Sequence, residues 1–148
     1  MKRDIQFLRT IEVPYVRVRD QLRDHASSVL GDGGDPIRTA LEARVRSTVV
    51  SREVEIEIVG FDEPAGSAAG ANLIFRADAL RHADLFPHLE ARLEVLPAAE
   101  DRTALFLSAT YKPPLGVVGG AANTLGLHRI AKQSLRSLFE DIADRLAR

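Results

Sequence analysis

Four segments between residues 52 and 114 alternate apolar and polar residues with a period of two, and this pattern constrains the fold more than any other feature. In REVEIEIVG, residues 52–60, Val54, Ile56 and Ile58 share one parity while Glu53, Glu55 and Glu57 share the other. ANLIFRADAL, residues 71–80, places Leu73, Phe75, Ala77 and Ala79 in register. LFPHLEARLEVLP, residues 85–97, does the same with Leu89, Ala91, Leu93 and Val95, and RTALFLSATYKPP, residues 102–114, with Leu105, Leu107, Ala109 and Tyr111. Successive side chains on a strand point to opposite faces, so each segment predicts a strand with one dry and one wet face. Short polar links such as AAED, residues 98–101, suit antiparallel hairpins, because parallel neighbours need long crossovers. A sheet with one dry face needs a cover.

The cover is predicted at the end of the chain. From about Asn123 to Ala147 the residues Thr124, His128, Ala131, Leu135, Leu138, Ile142 and Leu146 recur at helical spacing and form one stripe. Upstream, DIQFLRTIEV, residues 4–13, predicts a first strand, with Ile5, Phe7, Ile11 and Val13 on one parity and Arg9 among them. Pro14 then suits a first helical position, and Tyr15, Val18, Leu22, Ala26 and Val29 share a helix face that runs to GDGG at 31–34. DPIRTALEARVRS, residues 35–47, permits strand alternation of Leu41, Ala43 and Val45. Helix-forming residue types and an Asp35-Pro36 start favour a second short helix there. The expected class is α+β: a curved antiparallel sheet of about five to six strands wrapped on a long C-terminal helix, with two short helices after the first strand. At 148 residues, without a linker or internal repeat, one domain spanning 1–148 is expected.

Composition narrows the function classes. Net charge is −1 with both signs interspersed, so nucleic acid is not an expected partner. The absence of cysteine excludes disulfides, thiolate nucleophiles and cysteine-based metal sites. Neither a signal-like start nor a run of about 20 apolar residues is present, and a cytoplasmic location without a membrane span is expected. No cofactor is expected, and no metal. His25, His82 and His88 lack the spacing of a ligand set, and Ser67 in AGSAAG is not a nucleophile elbow. YKPPLGVVGG, residues 111–120, is rich in glycine, but Gly120 is followed by Ala121 and Ala122 where a phosphate loop needs lysine. The prolines end a strand and the glycines let the chain turn into the last helix.

LFPHLEARLEV at 85–95, TALFLSATYKPPLG at 103–116 and LHRIAKQSLRSLFEDIA at 127–143 resemble the SRPBCC (helix-grip) superfamily. That superfamily takes in START lipid-transfer domains, polyketide cyclases and aromatases, and birch-pollen-allergen-like proteins, and the closer likeness is to small bacterial members. The likeness covers the C-terminal half well and the first strand and helices only by their order. It implies an apolar cleft between sheet and C-terminal helix. The larger members have seven strands where about five are counted here, so the resemblance leaves the size of any cavity open.

Within such a cleft the inward set is apolar with few polar exceptions. Its candidate ligand-binding residues are Arg9, Phe75, Leu89, Leu93, Leu105, Leu107, Tyr111, Thr124 and His128. His128 lies on the apolar stripe and has two readings: a core histidine bonded to a backbone carbonyl, or a polar contact and general base in the cleft. Tyr111, at the inward parity where its strand ends, supplies either a hydroxyl to the same cleft or a rim residue with its oxygen in water. Arg9 is either a carboxylate anchor or, after a one-residue slip, a solvated side chain. The leading expectation is a noncatalytic binder of a small hydrophobic or amphipathic molecule, lipid or polyketide-like. The alternatives are a cyclase or dehydratase-type enzyme with His128 and Tyr111 as acid and base, and a dimerisation module without a ligand. Monomer and homodimer are both open.

Overall fold

The structure is a computed structural model that describes residues 3–45, 47–64, 70–80, 88–112 and 121–148, with the side chains of 3, 45, 112 and 121–127 outside that description. Strand β1 (Arg3–Ile11) is followed by helices α1 (Tyr15–Asp24) and α2 (Ala26–Leu30). Strands β2 (Ile37–Val45), β3 (Thr48–Asp62), β4 (Ala71–Ala79), β5 (His88–Ala99) and β6 (Arg102–Lys112) come next, and helix α3 (Ala121–Leu146) closes the chain. All six strands join one sheet in the order β1-β6-β5-β4-β3-β2, with every neighbouring pair antiparallel.

Six of the predicted elements, β1, β3, β4, β5, β6 and α3, lie where the periodicity puts them. Leu73, Phe75 and Ala77 of β4, Leu89, Ala91, Leu93 and Val95 of β5, and Leu105, Leu107, Ala109 and Tyr111 of β6 are all buried on one face. Ala131, Leu135, Leu138, Ile142 and Leu146 of α3 are buried against that core. Ile58 departs from the pattern: the pairing of β3 with β4 shifts between Ile58 and Gly60, and Ile58 is partly exposed where the bulge begins. Beyond the bulge Phe61 returns to the core-facing register opposite Leu73.

The helix expected over 35–47 is a correction: that segment is β2, paired with β3 from Ile37↔Ile56 to Val45↔Thr48. Its burial alternates, with Ile37, Leu41 and Ala43 inside and Arg38, Ala40, Glu42 and Arg44 outside. Alanine, leucine, arginine and glutamate favour helix on their own. Pairing with the β-branched Val50, Val54 and Ile56 of β3 overrides that weak preference. Both short helices instead come from residues 15–30, where the apolar spacing predicts one continuous helix. The break falls at His25, whose backbone (φ −134°, ψ 33°) leaves the helical region. Pro14 is the cap rather than the first helical residue, its carbonyl accepting from the amides of Arg17 and Val18. The expected face is still the buried one, through Val18, Leu22 and Val29.

Two glycines are required by geometry. Gly33 in GDGG has φ 78°, the left-handed region, and its amide donates to the Ser27 carbonyl. At Gly70 a Cβ would sit 1.5 Å from the Val95 carbonyl oxygen, so no larger residue lets β4 start so close to β5.

Helix α3 packs against β2 and β1, which are the two opposite edges of the sheet. A sheet touches one helix with both edges only by curling round it. Phe7 of β1 stacks on Phe139 of α3 with centroids 5.9 Å apart, and Arg145 Nη1 donates to the Val29 carbonyl at the end of α2. Thr103 Oγ1, fully buried, donates to the Val13 carbonyl and ties the chain after β1 to β6. Among the described residues no helix is long and apolar enough to cross a membrane.

Candidate functional site

Tyr111 is the last inward-facing residue of β6, opposite Leu89 on β5. Its alternation with Leu105, Leu107 and Ala109 turns it to the dry face, and it is 1% exposed. His128, in the second turn of α3, is half-buried and turned toward the same place. The Tyr111 hydroxyl lies 2.7 Å from His128 Nδ1, with the two rings 5.7 Å apart and tilted by 34°. That distance is a good hydrogen bond. His128 therefore meets a side chain through Nδ1. Two proton arrangements satisfy the contact: Tyr111 O–H donating to a neutral imidazole, or Nδ1–H donating to the phenol oxygen. The first leaves Nε2 carrying a proton, and the second leaves Nε2 as an acceptor when the ring is neutral.

Beneath this pair lies the apolar wall. Phe75, Leu89, Leu93, Leu105 and Leu107 are all 2% exposed or less. Among the described residues this wall is apolar and its side chains are buried.

The other expected site residues separate from this pair. Arg9 has the inward parity of Ile5, Phe7 and Ile11, but it lies where β1 meets the rim of α3. Its Nη1 is 3.1 Å from Glu140 Oε2 and 3.6 Å from Asp144 Oδ1. The chain's own carboxylates thus occupy the guanidinium. The Thr124 side chain lies outside the described residues, as does the corner at 113–120.

Two polar features escape the sequence reading. Ser134 of α3 is fully buried, and its Oγ has no hydrogen-bond partner among the described residues. It sits three residues beyond Ala131 and four before Leu138, so a wider stripe would have included it. His88 has no paired carboxylate at a recognisable sequence spacing. The register of β4 and β5 nevertheless sets its Nδ1 against Asp78, with Nε2 3.8 Å from Glu90 Oε1. Among the described residues no group of three or more such side chains is placed to hold a metal.

Neither a protein-family model nor a curated protein sequence matches the chain. Solved structures match over nearly its full length. Ara h 8.0201 superposes with a TM-score of 0.55 at 15% identity, covering 99% of this chain and 98% of that one. TTHA0849 from Thermus thermophilus gives 0.56 at 20% identity, covering 97% of each chain. Norcoclaurine synthase from Thalictrum flavum, solved with dopamine and hydroxybenzaldehyde, gives 0.55 at 14% identity and covers 97% of this chain and 86% of that one. Identities this low carry the fold and not the activity. A curled antiparallel sheet gripping one long helix, with two short helices after the first strand, is the SRPBCC-type helix-grip fold, and this chain has it.

Proposed function

We propose that the protein binds a small hydrophobic or amphipathic molecule between the dry face of the sheet and α3, with Tyr111 and His128 as its polar end. The observation that carries this is the 2.7 Å contact between two polar side chains at the margin of an otherwise apolar wall. Dry walls with a few converging polar groups are the usual make-up of a ligand site. A helix-grip structure solved with dopamine and hydroxybenzaldehyde lends support from the fold. Native mass spectrometry after incubation with a lipid and aromatic library tests the proposal. The expected result is a one-to-one adduct with a matching rise in Tm, since about 100 Kd of free ligand stabilises by about 2.7 kcal/mol. No adduct and no thermal shift across the library refutes it.

The same contact favours a second reading, acid–base catalysis of a cyclase or dehydratase type. A hydrogen-bonded phenol and imidazole can pass a proton between a substrate oxygen and carbon. His128→Ala separates the two readings: it abolishes turnover if the pair is catalytic and only weakens binding if it is not.

A further inference from the structure

The outer face of α3 carries a second feature that shares no residue with the Tyr111–His128 pair. Between the edge strand β2 and α3 runs a groove of about 680 Å³, within the size range of small-molecule sites. Arg44 of β2 and Arg129, Lys132 and Arg136 of α3 line it, facing two carboxylates, Glu42 and Glu140. The three helix residues follow at steps of three and four, so they stack on one face. Glu140 is already engaged by Arg9. Among the described residues none of the four cations has a carboxylate within ion-pair distance, whereas Arg9, Arg19, Arg23, Arg76 and Arg102 all do. Arg136 instead lies over the Phe7 ring at 5.3 Å. A chain of net charge −1 thus gathers unneutralised positive charge in one concave place.

The groove also has an apolar element. Val49, 54% exposed, lies on it beside Ala43. An added peptide strand is disfavoured, because the outer edge of β2 is blocked at both ends. Asp32 bonds the Arg38 amide through Oδ1 and the Arg38 carbonyl through its own amide, and Gln133 Oε1 takes the Arg44 amide. What stays open is a pocket bordered by side chains.

We propose that this groove binds a small organic anion, its phosphate or carboxylate head held by Arg44, Arg129 and Lys132 and its short apolar stem lying on Val49. Arginine and lysine recognise these heads by charge-assisted hydrogen bonds, and the valine gives a stem somewhere dry to go. Glu42 at the rim opposes the head and limits affinity.

Isothermal titration of the full chain with hexyl phosphate, inorganic phosphate and 1-hexanol tests the proposal. Hexyl phosphate is expected to bind one-to-one, more tightly than either of the others, and to weaken as salt rises. Arg129→Gln with Lys132→Gln is expected to weaken it by at least about tenfold, the loss of one or more charged hydrogen bonds. Arg17→Gln with Arg92→Gln, which removes equal charge elsewhere, leaves it unchanged. Glu42→Gln strengthens it and guards against a misfolded double variant, because a gain of binding needs a folded groove. Anionic vesicles that bind while monomeric hexyl phosphate does not would overturn the proposal in favour of a membrane surface. So would binding that survives the loss of Arg129 and Lys132, or no binding by the wild-type chain. Failure here leaves the inner site untouched, since the two sites are separate.

Discussion

Replacing Ser134 by alanine is expected to make this protein more stable. The hydroxyl sits in the buried face of α3 at 0% exposure with Oγ unpartnered among the described residues. A buried polar group without a hydrogen bond costs about 1–3 kcal/mol relative to its hydrated state. Alanine removes that cost and adds a few tenths of a kcal/mol of helix propensity. Against this stand the dispersion contacts of one lost oxygen, each only about 0.1–0.2 kcal/mol. The net expectation is a gain of about 1–2 kcal/mol. In a chain of 148 residues this raises Tm by roughly 2–8 °C. Urea denaturation with an unchanged m-value, read beside thermal unfolding, measures it. A Ser134→Ala variant less stable than the wild type refutes the reasoning, because the hydroxyl must then have a partner such as the carbonyl one turn earlier. The substitution also bears on the proposed ligand. An orphan hydroxyl on the face that closes over the apolar wall is kept at a cost, and a contact to bound ligand would explain the cost. Ser134→Ala is then expected to gain stability and lose adduct in the native mass spectrum.

Two further outcomes follow from the same structure. Tyr111→Phe keeps the ring and deletes the hydroxyl 2.7 Å from His128 Nδ1. It is expected to cost about 1 kcal/mol in denaturant and to weaken ligand retention, and wild-type retention would detach the pair from binding. At Asp32, hydrogen bonds from the backbone amides of Arg38 and then Gly34 hold the carboxyl below the usual range. A folded pKa depressed below the unfolded value of about 3.9 gives a contribution present above that pH and lost as pH falls through the folded value. Asp32→Asn is therefore expected to flatten the acid limb of the stability–pH profile below about pH 4, and an unchanged limb refutes the assignment.

Legibility in the sequence followed the range of the forces involved. The alternation in β4, β5 and β6 and the stripe on α3 are local patterns that state which face is dry. They carried the sheet, its cover and the inward position of Tyr111 and His128. Residues 37–45 read as helix because their types favour it in isolation, while their strand form depends on β3, a partner the local pattern does not contain. Ser134 falls outside the sequence reading because the buried stripe is wider than its apolar members. The carboxylates of Arg9 lie more than 130 positions away in the chain, so parity could place its backbone but not its partners.

Periodicity by itself determined that this chain must fold as a one-faced sheet covered by its last helix, because two- and 3.6-residue repeats leave no other way to bury both stripes. Only the tertiary structure decided that the sheet curls until both its edges touch α3. That curl brings Tyr111 within 2.7 Å of His128 across 17 residues of sequence, buries the apolar wall, and leaves four arginine and lysine side chains without an ion pair among the described residues along the seam. The physical reason is that parity sets direction, whereas distance is set by how far a sheet bends.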